Sequence, residues 1–160
     1  MLKRNIQLDL FYLDSSNNVV QASHTNTKSS TIVSLVQTEI IQSGTDVNPS
    51  STLAAIYMDA SYGWRVYYQT TSGSIQELVG GNGWNTGTTL GSGLSGTAIT
   101  VAMISVPNLN LFYIDSSSGS LYFMAFTSSW SARSSFFPFP SISLLTSRSN
   151  TTHFSVCAQL

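Results

Sequence analysis

Arg65 and Glu77 are the residues whose types and spacing most invite chemistry. They stand twelve positions apart, in Trp64-Arg65-Val66-Tyr67-Tyr68-Gln69 and Ile75-Gln76-Glu77-Leu78, with Thr71-Ser72-Gly73-Ser74 between. Two β-branched and aromatic runs around a Ser/Gly turn read as a β-hairpin, whose adjacent strands place such residues on one face within side-chain reach. A guanidinium offers five fixed donors and a carboxylate offers only acceptors, so the pair can bond the ring oxygen and hydroxyls of a sugar. It reads equally as a surface cross-strand salt bridge worth about 0–1 kcal/mol. Residue pattern alone leaves both open. Charge is scarce, with six Lys+Arg and seven Asp+Glu making 8% of 160 residues, which makes an opposed pair on one hairpin conspicuous.

Other chemistries are poorly supplied. The single Cys157 excludes an internal disulfide framework or a multi-cysteine zinc site and reads as a small core residue. His24 and His153 have no metal-type spacing. The run Gly91-Ser92-Gly93-Leu94-Ser95-Gly96-Thr97 has no lysine for a nucleotide phosphate and reads as a loop between repeats. A glycosidase needs two carboxylates, ~5 Å apart when retaining and ~6.5–9.5 Å when inverting, and Glu77 has no acidic mate at its level. The sialidase turn, with Asp two residues before Gly, is absent, because Asp115 and Gly119 are four apart. No enzyme, catalytic residue, metal or cofactor is expected.

A net charge of -1 leaves no footprint for nucleic acid or an anionic membrane. Lys3 and Arg4 are followed by Gln7 and Asp9 rather than an apolar run, so no signal peptide is read, and no stretch reaches the ~18 apolar residues of a membrane helix. A cytoplasmic or non-classically secreted protein is expected. The glycosylation triplet Asn150-Thr151-Thr152 is discounted on that ground.

The elements that must position Arg65 and Glu77 recur along the chain. Leu8-Asp9-Leu10-Phe11-Tyr12-Leu13-Asp14 and Leu109-Asn110-Leu111-Phe112-Tyr113-Ile114-Asp115 resemble the Arg65 strand, with Tyr12, Tyr68 and Tyr113 in register at spacings of 56 and 45. Each strand runs into a Ser/Thr/Asn/Gly turn and a second strand, and Asp14 and Asp115 open their turns by bonding their own backbone. Apolar runs at 53–58 and 98–104 precede two of the hairpins, as inner strands buried on both faces near a central axis would. A similar run at 142–145 and a segment 152–160 follow.

No capped amphipathic helix is found, so the fold is expected to be all-β, built of four-stranded antiparallel propeller blades. About three blades are counted, at 6–50, 51–96 and 97–140, with 141–160 closing. Three blades leave open edges. The chain is therefore expected either to pair in a homo-oligomer that completes a six-bladed ring or to be part of a longer protein.

Taken together, Arg65-Val66-Tyr67, Gly73, Ile75-Gln76-Glu77 and Gly83-Trp84-Asn85-Thr86-Gly87 resemble the blade signature of the fungal fucose-specific lectins, the Aleuria aurantia lectin type. The signature is complete between Arg65 and Gly87, while the other repeats match mainly in the strand core. The resemblance implies a six-bladed propeller that binds L-fucose or fucosylated glycans between neighbouring blades. One blade supplies the Arg and Glu; the next supplies an indole and a second aromatic ring under the sugar's apolar face.

Arg65 and Glu77 match the polar pair. Aligning Ile75 with Leu121 puts Trp130 at the place of Trp84 and Phe126 at the second aromatic position, although Ser129 stands where the signature has Gly. Burying the methyl and axial C–H patch of a deoxysugar is favourable at ~25 cal/mol per Å². The same two rings would serve simply to cover a blade edge. By the same logic Trp84 and Gln21 belong to a second, degenerate pocket, where Asp9 replaces the Arg. The third repeat has Asn110 and Phe123 and is expected to bind no fucose. The alternatives are a degenerate propeller fragment with an assembly role, favoured by the loss of the Arg and Glu from two of three repeats, and, less well supported, a propeller glycosidase.

Overall fold

A computed structural model of the chain describes residues 6–26 and 37–135. The expected strand at 142–145, the segment 152–160, Cys157, His153 and the Asn150 triplet lie outside the described residues. Apart from one 3-10 turn at Gly44–Asp46, every described regular element is a β-strand, as the sequence predicts. No described helix is long and apolar enough to cross a membrane. The chain divides into two compact units, 1–47 and 48–160.

In the first unit, β1 (Ile6–Leu13), β2 (Val19–Asn26) and β3 (Gln37–Gln42) form an antiparallel meander. Its hairpin turns on Asp14, whose Oδ1 accepts the backbone N–H groups of Ser16 at 2.8 Å and Asn18 at 2.9 Å. This is the turn chemistry expected of an Asp at that place.

The second unit holds two four-stranded meanders. One is β4 (Ala54–Tyr57), β5 (Trp64–Gln69), β6 (Ser74–Gly81) and β7 (Gly83–Ser92); the other is β8 (Thr100–Ser105), β9 (Asn108–Ile114), β10 (Leu121–Phe126) and β11 (Ser134–Ser135). The three hairpins share one register, since Phe11 faces Gln21, Tyr67 faces Glu77 and Phe112 faces Phe123. Between the two sheets of the second unit, Tyr67 and Ile75 pack with Leu111, Tyr113, Met124, Leu90, Ile99 and Ala54 in one core.

Buried Gln69 ties these sheets together. Its Nε2 donates to the carbonyls of Gly93 at 2.8 Å and Leu94 at 3.1 Å, and its Oε1 accepts from Gly96 N–H at 2.8 Å. The loop leading to β8 is thereby anchored to the end of β5, and a buried amide is satisfied by backbone partners.

Burial is distributed differently from the sequence expectation. The inner strands β4 and β8 are not buried on both faces: Ala55 and Tyr57 are exposed, as are Met103, Ile104 and Ser105. The central strands β5 and β6 are the deeply buried ones. An apolar run marks strand propensity, but an edge strand has a partner along one side only and β5 and β6 have partners on both.

Asp115 carries the turn after β9. It is fully buried, with Oδ1 accepting from the N–H and hydroxyl groups of Ser117 and Ser118 at 2.6–3.1 Å and Oδ2 paired with Arg133. Burial opposes its ionisation, yet the Ser117 and Ser118 bonds outweigh burial and hold the carboxyl below the usual Asp range. A depressed folded value contributes stability that is present above the unfolded pKa of about 3.9 and is lost as pH falls through the folded value. D115A is expected to cost about 2 kcal/mol at neutral pH. Urea denaturation should show a smaller loss of stability below about pH 4 in this variant than in the parent. An unchanged acid limb would show that Asp115 does not carry it.

Candidate functional site

The site grows from the face of β5 and β6 that looks toward the β8–β11 sheet. Tyr67 pairs directly with Glu77 and Arg65 with Val79, so Arg65 and Glu77 are diagonal neighbours on one face. Arg65 Nε lies 3.4 Å from Glu77 Oε1, and the two side chains are only 11% and 6% exposed. This is not an exposed surface salt bridge. Desolvation makes both the attraction and any missing partner weigh more than in water.

Arg65 is aimed by a local turn. Asp59 Oδ1 accepts the N–H groups of Ser61 at 2.7 Å and Tyr62 at 2.9 Å, and Tyr62 then presents its carbonyl to Arg65 Nη1 at 2.5 Å. The Trp64 carbonyl takes a second bond from Nη1 at 3.1 Å. Gly63 closes the turn at φ +67°, where a Cβ would lie 1.9 Å from the Gly80 carbonyl oxygen; no other residue fits.

Glu77 is held from three sides. Oε1 accepts from Tyr67 Oη at 3.3 Å and is ion-paired with Arg65, and Oε2 accepts from the Thr88 N–H at 3.2 Å. The register of β6 against β7 slips between Gln76 and Leu78, which brings residues 87 and 88 alongside the carboxylate. Gln76 braces the slip, donating to the Gly87 carbonyl at 3.1 Å and accepting from Thr89 Oγ1 at 2.7 Å. A Cβ on Gly87 would meet Glu77 Oε2 at 2.6 Å and Val79 Cγ2 at 2.9 Å. The last glycine of the Gly-Trp-x-x-Gly run thus clears space for the acid. Burial first, and then the charge of Glu77, push the Tyr67 phenol far up, so it stays a protonated donor.

The aromatic half comes from the other sheet. Phe126 ends β10 and forms an isolated bridge with Trp130. The turn between them is closed by Ser131 N–H donating to the Ala125 carbonyl at 2.8 Å and by Ser131 Oγ accepting from Ala125 N–H at 3.0 Å. Phe126 and Trp130 lie 5.4 Å apart at 59°, and the Trp130 ring meets Tyr67 edge-on at 5.9 Å and 87°. Trp130 Nε1 is buried with no hydrogen-bond partner. A buried donor of this kind calls for an explanation, because leaving it unmet costs about 1–3 kcal/mol.

Arg65, Glu77, Trp130 and Phe126 therefore stand in one connected chain of contacts, with Tyr67 as the link. The residue pattern of the hairpin does not single out Tyr67, Thr88 or the Tyr62 carbonyl. The last two are backbone groups, which carry no residue-type signal. Trp84 and Gln21 lie in different units, and each is described within its own. Trp84 lies over Gly80, its ring atoms 2.8–2.9 Å from where a Cβ would be. Gln21 Nε2 donates to Asp9 Oδ1 at 2.8 Å, so the diagonal held by Arg65–Glu77 in one hairpin is held by Asp9–Gln21 in another. In the third hairpin it is Asn110 and Phe123, with Phe123 packed on Phe112 at 6.2 Å. Among the described residues, no group of three or more His, Cys, Asp or Glu could hold a metal ion.

No curated protein matches the sequence. Solved structures that share the fold include the lectin SapL1, in complex with alpha methyl fucoside (21% identity, TM-score 0.62, 81% of this chain); AofleA from Arthrobotrys oligospora (25%, 0.59, 78%); and the six-bladed β-propeller lectin of Aleuria aurantia (21%, 0.60, 82%). The chain spans less than half of each, at 44%, 38% and 46% of their lengths. The three sheets among the described residues correspond to propeller blades, and the Aleuria aurantia protein has six. A family model described as fungal fucose-specific lectin matches residues 6–157, and the chain belongs to that family.

Proposed function

We propose that the chain binds L-fucose or fucosylated glycans, without catalysis, in the cleft between the β4–β7 and β8–β11 sheets. The observation that carries this reading is the orphaned Trp130 Nε1–H beside the Glu77–Tyr67–Arg65 network. A sugar hydroxyl would give that donor its acceptor. Arg65 and Glu77 would bond the ring oxygen and hydroxyls, and Trp130 and Phe126 would cover the methyl and axial C–H face. Both Glu77 oxygens are engaged by donors and its close neighbours are Arg65 and Tyr67, an arrangement suited to holding hydroxyls rather than to paired-carboxylate hydrolysis.

The first hairpin has aspartate where fucose binding wants a guanidinium, and the third has a phenyl ring where it wants a carboxylate. One productive pocket per chain is the resulting count. Single-site affinity should then lie in the micromolar-to-millimolar range, about 4–8 kcal/mol. Strong attachment to a glycan-covered surface requires several copies.

A second copy of the chain is the partner that supports this. Leu10 and Tyr12 on β1 are 51% and 38% exposed, whereas Val66 and Tyr68 on β5, and Leu111 and Tyr113 on β9, are at most 1% exposed at the same register positions. The face that the repeat buries twice is bare once, and another sheet of the same kind fits it. The localisation reading, cytoplasmic or non-classically secreted, stays a proposal.

Titration calorimetry with methyl-α-L-fucoside tests the pocket. R65A should weaken binding about 30-fold or more, because it strands Glu77 in a desolvated site. W130F, which keeps an aromatic ring but not the N–H, should weaken it about five- to tenfold. G87A should lower both affinity and the urea midpoint, by about 1–3 kcal/mol of overpacking against Glu77. Full affinity in R65A would refute the site, and a parent protein that ignores fucose would favour the assembly-module reading. Light scattering should give twice the chain mass, reverting to one chain in Y12K; a monomeric parent would dismiss the second copy.

A further inference from the structure

Tyr67 touches both halves of the pocket yet is itself sealed from solvent. It faces Glu77 across the strands, donates to Oε1 at 3.3 Å, and sets its ring edge against Trp130 at 5.9 Å. The other two hairpins carry Phe11 and Phe112 at this register position, opposite Gln21 and Phe123. An aromatic ring therefore recurs in every repeat, and the hydroxyl occurs only where the residue opposite is a carboxylate. Packing does not need the oxygen, because phenylalanine occupies the same place twice. Burying a phenol oxygen without a partner is costly, and Glu77 is the partner it has.

We propose that Tyr67 is a positioning residue for the pocket: its hydroxyl fixes the Glu77 carboxylate while its ring fixes Trp130, so one side chain sets the separation of the polar and aromatic walls. The inference rests on the fucose-binding reading of the same site. A free glutamate samples several rotamers, and ordering it before the sugar arrives removes that cost from binding. Arg65 Nε holds only Oε1, and the Thr88 N–H only Oε2. The phenol adds the donor that joins the carboxylate to the side chain supporting the indole. Burial keeps that phenol protonated, so the donor is present at any working pH.

Y67F tests the hydroxyl with the ring retained. Affinity for methyl-α-L-fucoside should fall about tenfold, while circular dichroism and a cooperative melt stay close to the parent. The decisive readout uses 2-, 3- and 4-deoxy-L-fucose against both proteins. If Tyr67 acts through Glu77, the Y67F penalty disappears for the analogue lacking the hydroxyl that Glu77 accepts, and persists for the others. An unchanged or tighter affinity for fucose, or a penalty equal for every analogue, overturns the proposal. Parent binding that R65A abolishes and Y67F leaves intact discards this inference alone. A parent protein that binds no fucose discards the pocket and the inference with it.

Discussion

A carboxylate only 6% exposed must be met by donors, and that requirement at Glu77 organises the second unit. Its donors arrive from three directions: a guanidinium along the same face, a phenol directly across the strands, and a backbone N–H from the outer strand. Each imposes a constraint further out. The guanidinium is aimed by the Asp59–Gly63 turn, the Thr88 N–H meets the carboxylate where β7 slips its register, and the slip is braced by Gln76. Remove the acid and these devices lose their purpose together.

The three hairpins show what the fold demands and what it leaves free. Strand register and the aromatic at the Phe11, Tyr67 and Phe112 position are common to all. The diagonal beside that ring holds Asp9–Gln21, Arg65–Glu77 or Asn110–Phe123. A sheet is indifferent to which pair lies there so long as buried polar groups are satisfied, as Gln21 and Asp9 satisfy each other. Function in this family of folds is then a matter of which chemistry each repeat carries on a shared frame.

The turns follow the same logic. Asp14 and Asp115 open equivalent turns and each accepts backbone N–H groups through its side chain, while the middle repeat uses Thr70 Oγ1 for Ser74 N–H at 3.1 Å. Asp115 does more than turn the chain. Its second oxygen holds Arg133, three residues beyond Trp130, and so steadies the segment that presents the indole.

The amino-acid sequence by itself determined the hairpins, the turn chemistry, the repeat and the common face of Arg65 and Glu77. All of these depend on local rules: a period of two along a strand, and side chains that bond their own backbone. Through its resemblance to the fungal fucose-specific lectins it also marked Trp130, aligned with Trp84, and Phe126, at the second aromatic position. It misjudged β4 and β8, because an apolar run reports strand propensity and not which strands have a neighbour on each side. Only the tertiary structure decided that Tyr67 links the carboxylate to the indole, that Gly87 and Thr88 close around Glu77, and that Trp130 Nε1 has no acceptor. Those facts arise from the packing of one sheet on another and from a register slip, and neither is written into the residue pattern of any single strand.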